Sequence, residues 1–177
     1  MEVYMIRHTA VDIPLGVCYG QTDVPLKDSF EKEAAIVKEN IRDITFDAYF
    51  TSPLSRCTRL ATYCGFSDAI HDNRLKELNF GDWEMQEFNR IYDPRLAEWF
   101  QDYLHVPATN GESFEHLHTR VSHFLDELKT KDYKQVAIFA HGGVLIAAQV
   151  YAGLVDAKEG FKNLTPYGGI IKLNINP

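Results

Sequence analysis

The sequence predicts an α/β fold: a three-layer sandwich with a largely parallel central sheet and helices on both faces. Three observations carry this. Short apolar runs fit for buried strands recur at Val3–Ile6, Ala48–Thr51 and Gln135–Ala140. Segments of helical period lie between them, and that alternation is the pattern of a parallel sheet wrapped by helices. The chain of 177 residues has no internal repeat, linker or low-complexity stretch, and it is long enough to bury one good core. One domain over residues 1–177 is expected.

The elements follow in order. Val3-Tyr4-Met5-Ile6 reads as the first strand. Ile13 to Leu26, with Pro14, Pro25, Gly16 and Gly20, reads as a loop. Phe30 to Ile41 places Phe30, Ala34, Val37 and Ile41 on one helical face. Ala48–Thr51 is a second strand. Ser52-Pro53 then reads as an N-cap followed by proline at the first helical position, opening a helix to about Cys64. Leu75 to Glu84 is irregular and charged, and Asn89 to Leu104 reads as helix broken at Pro94. Ser113 caps a helix over Phe114–Lys129, with Phe114, Leu117, Val121, Leu125 and Leu128 inward. Gln135–Ala140 is a third strand, Gly143 to Ala152 a helix, and Gly169 to Ile175 an alternating last strand.

The net charge of −7 makes nucleic acid and anionic membranes poor partners for the molecule as a whole. No stretch reads as a signal peptide or a membrane span, so a soluble cytoplasmic protein is expected. Cys18, Cys57 and Cys64 lack metal-site spacing and read as small buried residues. Nothing in the chain points to a particular oligomeric state.

Each apolar strand ends in chemically loaded residues. The first ends in Arg7-His8, the second in Ser52-Pro53-Leu54-Ser55-Arg56, the third in Ala140-His141-Gly142-Gly143. Ligands of open α/β sheets sit beyond the carboxyl ends of strands, so parallel pairing would gather two arginines and two histidines in one cleft. Two guanidinium forks suit the oxygens of a phosphoryl group. Arg56 stands in the first turn of its helix, where the macrodipole disfavours a cation by about 0.3–1 kcal/mol, a conflict that a bound anion removes. Gly142 and Gly143 open another helix whose free N–H groups suit an oxygen. A neutral histidine can attack phosphorus, and His8 and His141 are both candidates. A leaving alkoxide needs a proton, for which Glu77, Asp82 and Glu84 are candidates.

Taken together, Arg7-His8-Thr9, TSPLSR (Thr51–Arg56), LKELNFGDWE (Leu75–Glu84), NGESF (Asn110–Phe114) and AHGG (Ala140–Gly143) resemble the histidine phosphatase superfamily, the phosphoglycerate mutase-like fold. The resemblance implies that His8 becomes the phosphohistidine and that Arg7, Arg56 and His141, with Gly142, hold the phosphoryl group. It implies Glu77 as the general acid, and neither a metal nor another cofactor. CYGQTDVPL and NFGDWE look most like the α-ribazole phosphatases, which remove a 5′-phosphate late in cobalamin nucleotide-loop assembly. A small phosphomonoester is then the partner. A broad-specificity phosphatase or phosphoglycerate mutase-like enzyme is the alternative, and a non-catalytic phospho-ligand binding module a second one. Two positions depart from the family pattern. Thr9 replaces a glycine, and Pro14 replaces an asparagine that touches phosphate, a contact that Gln21 or Thr22 is expected to take over.

Other features read as background. Glu112, His116, His123 and Glu127 form a solvated helix face rather than a metal site. Phe88, Trp99, Phe100 and Tyr103 read as core, with the option that one faces the cleft to stack on a base. A carboxylate-bearing substrate would want a further cation, for which Arg59 is the nearest candidate.

Overall fold

The computed structural model of the chain describes residues 1–176. Its five strands, β1 (Glu2–Arg7), β2 (Ala48–Thr51), β3 (Ile70–His71), β4 (Gln135–Ala140) and β5 (Ile170–Asn174), form one sheet in the order β3-β2-β4-β1-β5. The pairings β2–β3, β2–β4 and β1–β4 are parallel, and β5 joins β1 antiparallel. Helices α4 (Phe114–Lys129) and α5 (Gly142–Tyr151) cover one face, and α1 (Phe30–Ile41) and α2 (Ser55–Tyr63) cover the other. Two further helices, α3 (Pro94–Gln101) and α6 (Ala157–Lys162), lie outside this sandwich.

The strands bury both faces because every second side chain points the same way. Val3 and Met5 of β1, with Val136, Ile138 and Ala140 of β4, join the α4/α5 core. Ile6, Ala137 and Phe139 join Ala34, Val37, Cys57 and Leu60 on the opposite side. A smaller cluster of Cys18, Trp83, Ile91 and Ala108, with Phe80, Phe88 and Trp99 against it, packs the irregular segment onto the loop before α1.

The structure departs from the sequence reading in four places. Helix α2 starts at Ser55 with Leu54 in the cap position, not at Pro53 after Ser52. Its cap comes from afar: Asp23 accepts from the Ser55 N–H at 2.9 Å and its hydroxyl at 2.7 Å. A carboxylate there also suits the positive end of the helix dipole. The two-residue edge strand β3 and helix α6 carry no periodic signal and were not expected. Helix α3 covers only Pro94–Gln101, with Asp93 as its cap and a single 3₁₀ turn at Phe88–Arg90 before it. Gly142, expected ahead of the helix, is the first residue of α5.

Candidate active site

The register of β1, β4 and β2 brings three chain exits side by side. Arg7 lies opposite Ala140 and Thr51 opposite Phe139, so His8, His141 and Ser52 follow at one edge of the sheet. The His8 N–H donates to Ala140 O at 3.1 Å and the Ser52 N–H to Phe139 O at 2.9 Å, extending the ladder by one residue on each side. The rings of His8 and His141 stand 5.2 Å apart. His8, Ser52, Arg56 and His141 are all buried.

His8 is held in one tautomer. Its Nδ1 lies 2.7 Å from Thr9 O, a bond in which only the imidazole can donate, so Nε2 keeps its lone pair. Burial, then the charges of Arg56 and Arg7, push its pKa down to about 3, against the Thr9 carbonyl, which favours the charged form. His141 lies well below its ordinary value for the same first reason, burial, reinforced by Arg56 and His8. Its Nε2 shares a 2.8 Å hydrogen bond with Ser52 Oγ. Thr9 is compatible with its place because its backbone φ is not positive.

Both arginines are anchored from behind. Arg56 donates through Nη1 to Thr22 O at 2.9 Å and through Nη2 to Gly20 O. Arg7 donates through Nη1 to Thr165 O at 2.5 Å, and its guanidinium lies 4.1 Å from the centre of the Tyr167 ring. Tyr19 covers Arg56 at 5.6 Å, and the hydroxyls of Tyr19 and Tyr167 meet at 3.1 Å. Nε of Arg7 and Nε of Arg56 are buried without a partner among the described residues. Such donors are what an oxyanion satisfies.

Of the three carboxylates left open by the sequence, only Glu77 lines the cleft. Its Oε2 accepts from the Gly143 N–H at 3.0 Å and Oε1 from the Leu78 N–H at 2.9 Å. A Cβ at Gly143 would overlap that carboxylate, which is why glycine stands there. Asp82 binds the Asn110 side chain at 2.9 Å. Glu84 accepts from the N–H groups of Gly20 and Gln21 at 2.8 and 2.7 Å. It thus fixes the loop whose carbonyls hold Arg56.

The cleft, about 230 Å³, is lined by Arg7, His8, Arg56, Glu77, Gly142 and Gly143 together with apolar side chains. Pro14 is exposed, and neither Gln21 nor Thr22 lines the cleft. Gln21 donates through Nε2 to Glu77 O at 3.1 Å, and Thr22 serves Arg56 through its carbonyl. These two therefore stand one layer behind the place expected of them.

Several other expectations change. Glu112 is not on a solvated face: it accepts from Arg120 at 2.8 and 2.9 Å and from the Asn79 N–H at 2.9 Å. His116, His123 and Glu127 are exposed as expected, and His116 completes a capping box with Ser113. None of Phe88, Trp99, Phe100 and Tyr103 lines the cleft; its aromatic rings are Tyr19, Phe80, Phe114 and Phe161. Arg59 stacks on Phe30 at 4.8 Å, in a different hollow.

Sequence reasoning missed Tyr19, Arg120, Phe161, Leu164 and Tyr167, and read Ser52 as a helix cap rather than as the partner of His141. Arg120 donates to the carbonyls of Arg74, Lys76 and Glu77 at 2.7, 2.6 and 2.9 Å, so it staples the strap that carries Glu77.

The arrangement is a neutral, oriented imidazole between two guanidinium groups, faced by a carboxyl group. Such a set can transfer a phosphoryl group to nitrogen and then to water. No helix among the described residues is long and apolar enough to cross a membrane.

The sequence profile of the histidine phosphatase superfamily (branch 1) matches residues 3–177. The adenosylcobalamin/α-ribazole phosphatase of Escherichia coli is 27% identical over 153 residues, 82% of this chain and 75% of that protein. Phosphoserine phosphatase 1 of Hydrogenobacter thermophilus is 23% identical over 145 residues, 78% of this chain and 69% of that protein. The crystal structure of the α-ribazole phosphatase from Shigella flexneri superposes with a TM-score of 0.88 at 25% identity, covering 99% of this chain and 91% of that one.

Proposed function

The chain belongs to the histidine phosphatase superfamily and is a phosphatase, and from that premise we propose that it dephosphorylates α-ribazole 5′-phosphate through a phosphohistidine on His8. The observation that carries the mechanism is the hydrogen bond between His8 Nδ1 and Thr9 O. It aims the free Nε2 lone pair into a cleft walled by Arg7 and Arg56.

In the first step Nε2 of His8 forms a bond to phosphorus as the bond to the ester oxygen breaks. Arg7, Arg56, His141 and the N-terminus of α5 at Gly142 take the charge on the phosphoryl oxygens. Glu77 serves as the general acid that gives a proton to the leaving alkoxide. In the second step Glu77 takes a proton from water, oxygen attacks phosphorus, and the N–P bond breaks to release phosphate and neutral His8. The charge that metal ions supply in other phosphatases comes here from arginine. Activity is therefore expected to survive prolonged chelation.

Two results support the finer substrate reading over the wider class. The α-ribazole phosphatases recur among the relatives and solved structures that resemble the chain. Arg59, the cation nearest in sequence for a phosphoglycerate carboxylate, is turned away.

The test has two arms. Brief mixing with labelled substrate should leave an acid-labile, base-stable phosphoryl group on the wild type and none on His8→Ala. Label retained by His8→Ala moves the nucleophile elsewhere. In steady state, kcat/KM for α-ribazole 5′-phosphate should exceed that for 3-phosphoglycerate by at least about tenfold. Equal values, or mutase activity with 2,3-bisphosphoglycerate, would favour a mutase-like enzyme.

A further inference from the structure

Part of the apolar lining of the cleft is built by a stretch of the chain in which the sequence announced nothing. Phe161, on the short helix α6, and Leu164, just after it, line the cleft beside Phe80, Phe114 and Leu117. Phe161 is fixed edge-on against Phe114 at 5.3 Å and Tyr103 at 5.1 Å. Leu164 reaches over the start of α5, where a Cβ at Gly142 would stand 2.8 Å from its Cδ1. The following residue, Thr165, is the one whose carbonyl holds Arg7. The same turn thus places an apolar wall and a phosphate-facing guanidinium at a fixed separation.

The wall is incompletely covered by the protein itself. Phe161 is 38% exposed and Leu164 43% exposed. An apolar ligand group laid on them would remove further apolar surface from water.

The charges of the lining disfavour a different ligand. Arg7 and Arg56 are the cations of the lining, and both have guanidinium nitrogens committed to backbone carbonyls. Arg120 is taken up by Glu112 and three carbonyls. Lys162, on α6, pairs with Glu159 at 2.7 Å. Glu77 is the acidic group of the lining. A carboxylate placed against Phe161 and Leu164 would lose hydration and would have to compete with the phosphoryl group for Arg7, whose Nε is otherwise unpaired.

We infer that Phe161 and Leu164 determine specificity by reading the leaving alcohol: the cleft takes phosphomonoesters of uncharged alcohols with a flat apolar body and rejects those whose alcohol carries a carboxylate. This rests on the phosphatase reading and narrows it, and it does not depend on α-ribazole being the natural ligand.

Three synthetic or simple esters test it: 2-phenylethyl phosphate, ethyl phosphate and 3-phosphoglycerate, each with the wild type, Phe161→Ala and Leu164→Ala. In the wild type, kcat/KM for 2-phenylethyl phosphate should exceed both others by about tenfold or more. Each substitution should bring the ratio of 2-phenylethyl to ethyl phosphate down toward one. Both side chains are partly exposed, so neither truncation removes a core residue; circular dichroism of each variant checks the fold. A ratio unchanged in both variants, or a wild type that prefers 3-phosphoglycerate, overturns the inference and leaves the phosphatase standing. Failure of the wild type to hydrolyse any of the three, with α-ribazole 5′-phosphate hydrolysed, overturns this inference alone; failure on that ester as well sinks the phosphatase reading with it.

Discussion

The lining of the cleft has a charged part and an apolar part, made by different kinds of structure. The charged part is made by strand exits and helix starts: His8 after β1 and Arg56 after β2 line the cleft, and Ser52 after β2 and His141 after β4 are buried beside them. All four side chains are buried and each is tied to backbone or to another side chain. The apolar part comes from the loop around Tyr19, the strap around Phe80 and the α6 turn, with Phe161 set edge-on against Phe114. Pre-organised charge belongs on the rigid elements, because a fixed donor costs no reorganisation when charge develops. Apolar recognition tolerates a softer frame, because it depends on area rather than direction. Substitutions in the charged part should therefore cost rate on every ester, and those in the apolar part should change only which ester is preferred.

The largest effect is expected where the two parts meet. Glu77→Gln keeps the shape of the side chain, and its amide cannot deliver a full proton to an alkoxide. Turnover of an alkyl phosphate should fall by about 10²–10⁴-fold. With p-nitrophenyl phosphate, whose leaving group needs little protonation, the loss should be small. Equal losses on both esters would take the acid role away from Glu77.

Arg56→Lys sharpens the contrast next. Lysine keeps a charge but cannot hold Gly20 O and Thr22 O in a fork while facing the phosphoryl group. A loss of about 10²–10³-fold in kcat/KM is expected, similar for aromatic and aliphatic esters. A loss confined to one class of ester would mean that the charged part also reads the alcohol.

How much of this was visible in the sequence follows the same division. Apolar runs and the residues that end them are local signals, so the sheet, its main helices and the cluster of Arg7, His8, Arg56 and His141 were legible before any coordinates, whereas Glu77 was separated from Asp82 and Glu84 only by the family resemblance. What escaped depends on contacts between distant segments. Asp23 caps α2 from the other side of the loop, which frees Ser52 for His141. Arg120 looks like one more charge on a helix until its guanidinium is seen among the carbonyls of residues 74, 76 and 77. Phe161 and Leu164 sit in a stretch too short and too mixed to show a period. Gln21 and Thr22 were read as ligand contacts; neither lines the cleft, and they bond Glu77 and Arg56, which do.

Arg120 gives a third expectation, of about 10–100-fold. Arg120→Lys cannot bridge Glu112 and three carbonyls at once, so the strap around Glu77 loosens. Displacing a positioned group by about 1 Å can cost up to 10²-fold. The loss should fall on kcat for alkyl phosphates, with KM and p-nitrophenyl phosphate turnover little affected. A uniform loss across esters would indicate a structural role only.

The smallest effect separates the two parts by pH. His8 is neutral in the folded protein down to about 3, whereas an unfolded histidine takes up its proton near 6.5. Between those values the unfolded chain binds more protons, so stability present above about 6.5 is lost as pH falls toward 3. Each such group contributes a slope of about 1.4 kcal/mol per pH unit over that window. His141 acts with the same sign. The apolar part offers no counterpart, since Phe161 and Leu164 do not titrate. His8→Asn removes one of the two groups. Urea unfolding of both proteins at pH 7, 6 and 5 should then give a shallower fall for the variant, while Phe161→Ala should run parallel to the wild type. The buffers must be free of phosphate, because a bound anion would favour the protonated imidazole and flatten the slope. Parallel curves for wild type and His8→Asn would mean that His8 takes up a proton in the folded state as readily as in the unfolded one, and the claim of a neutral, buried nucleophile would fail.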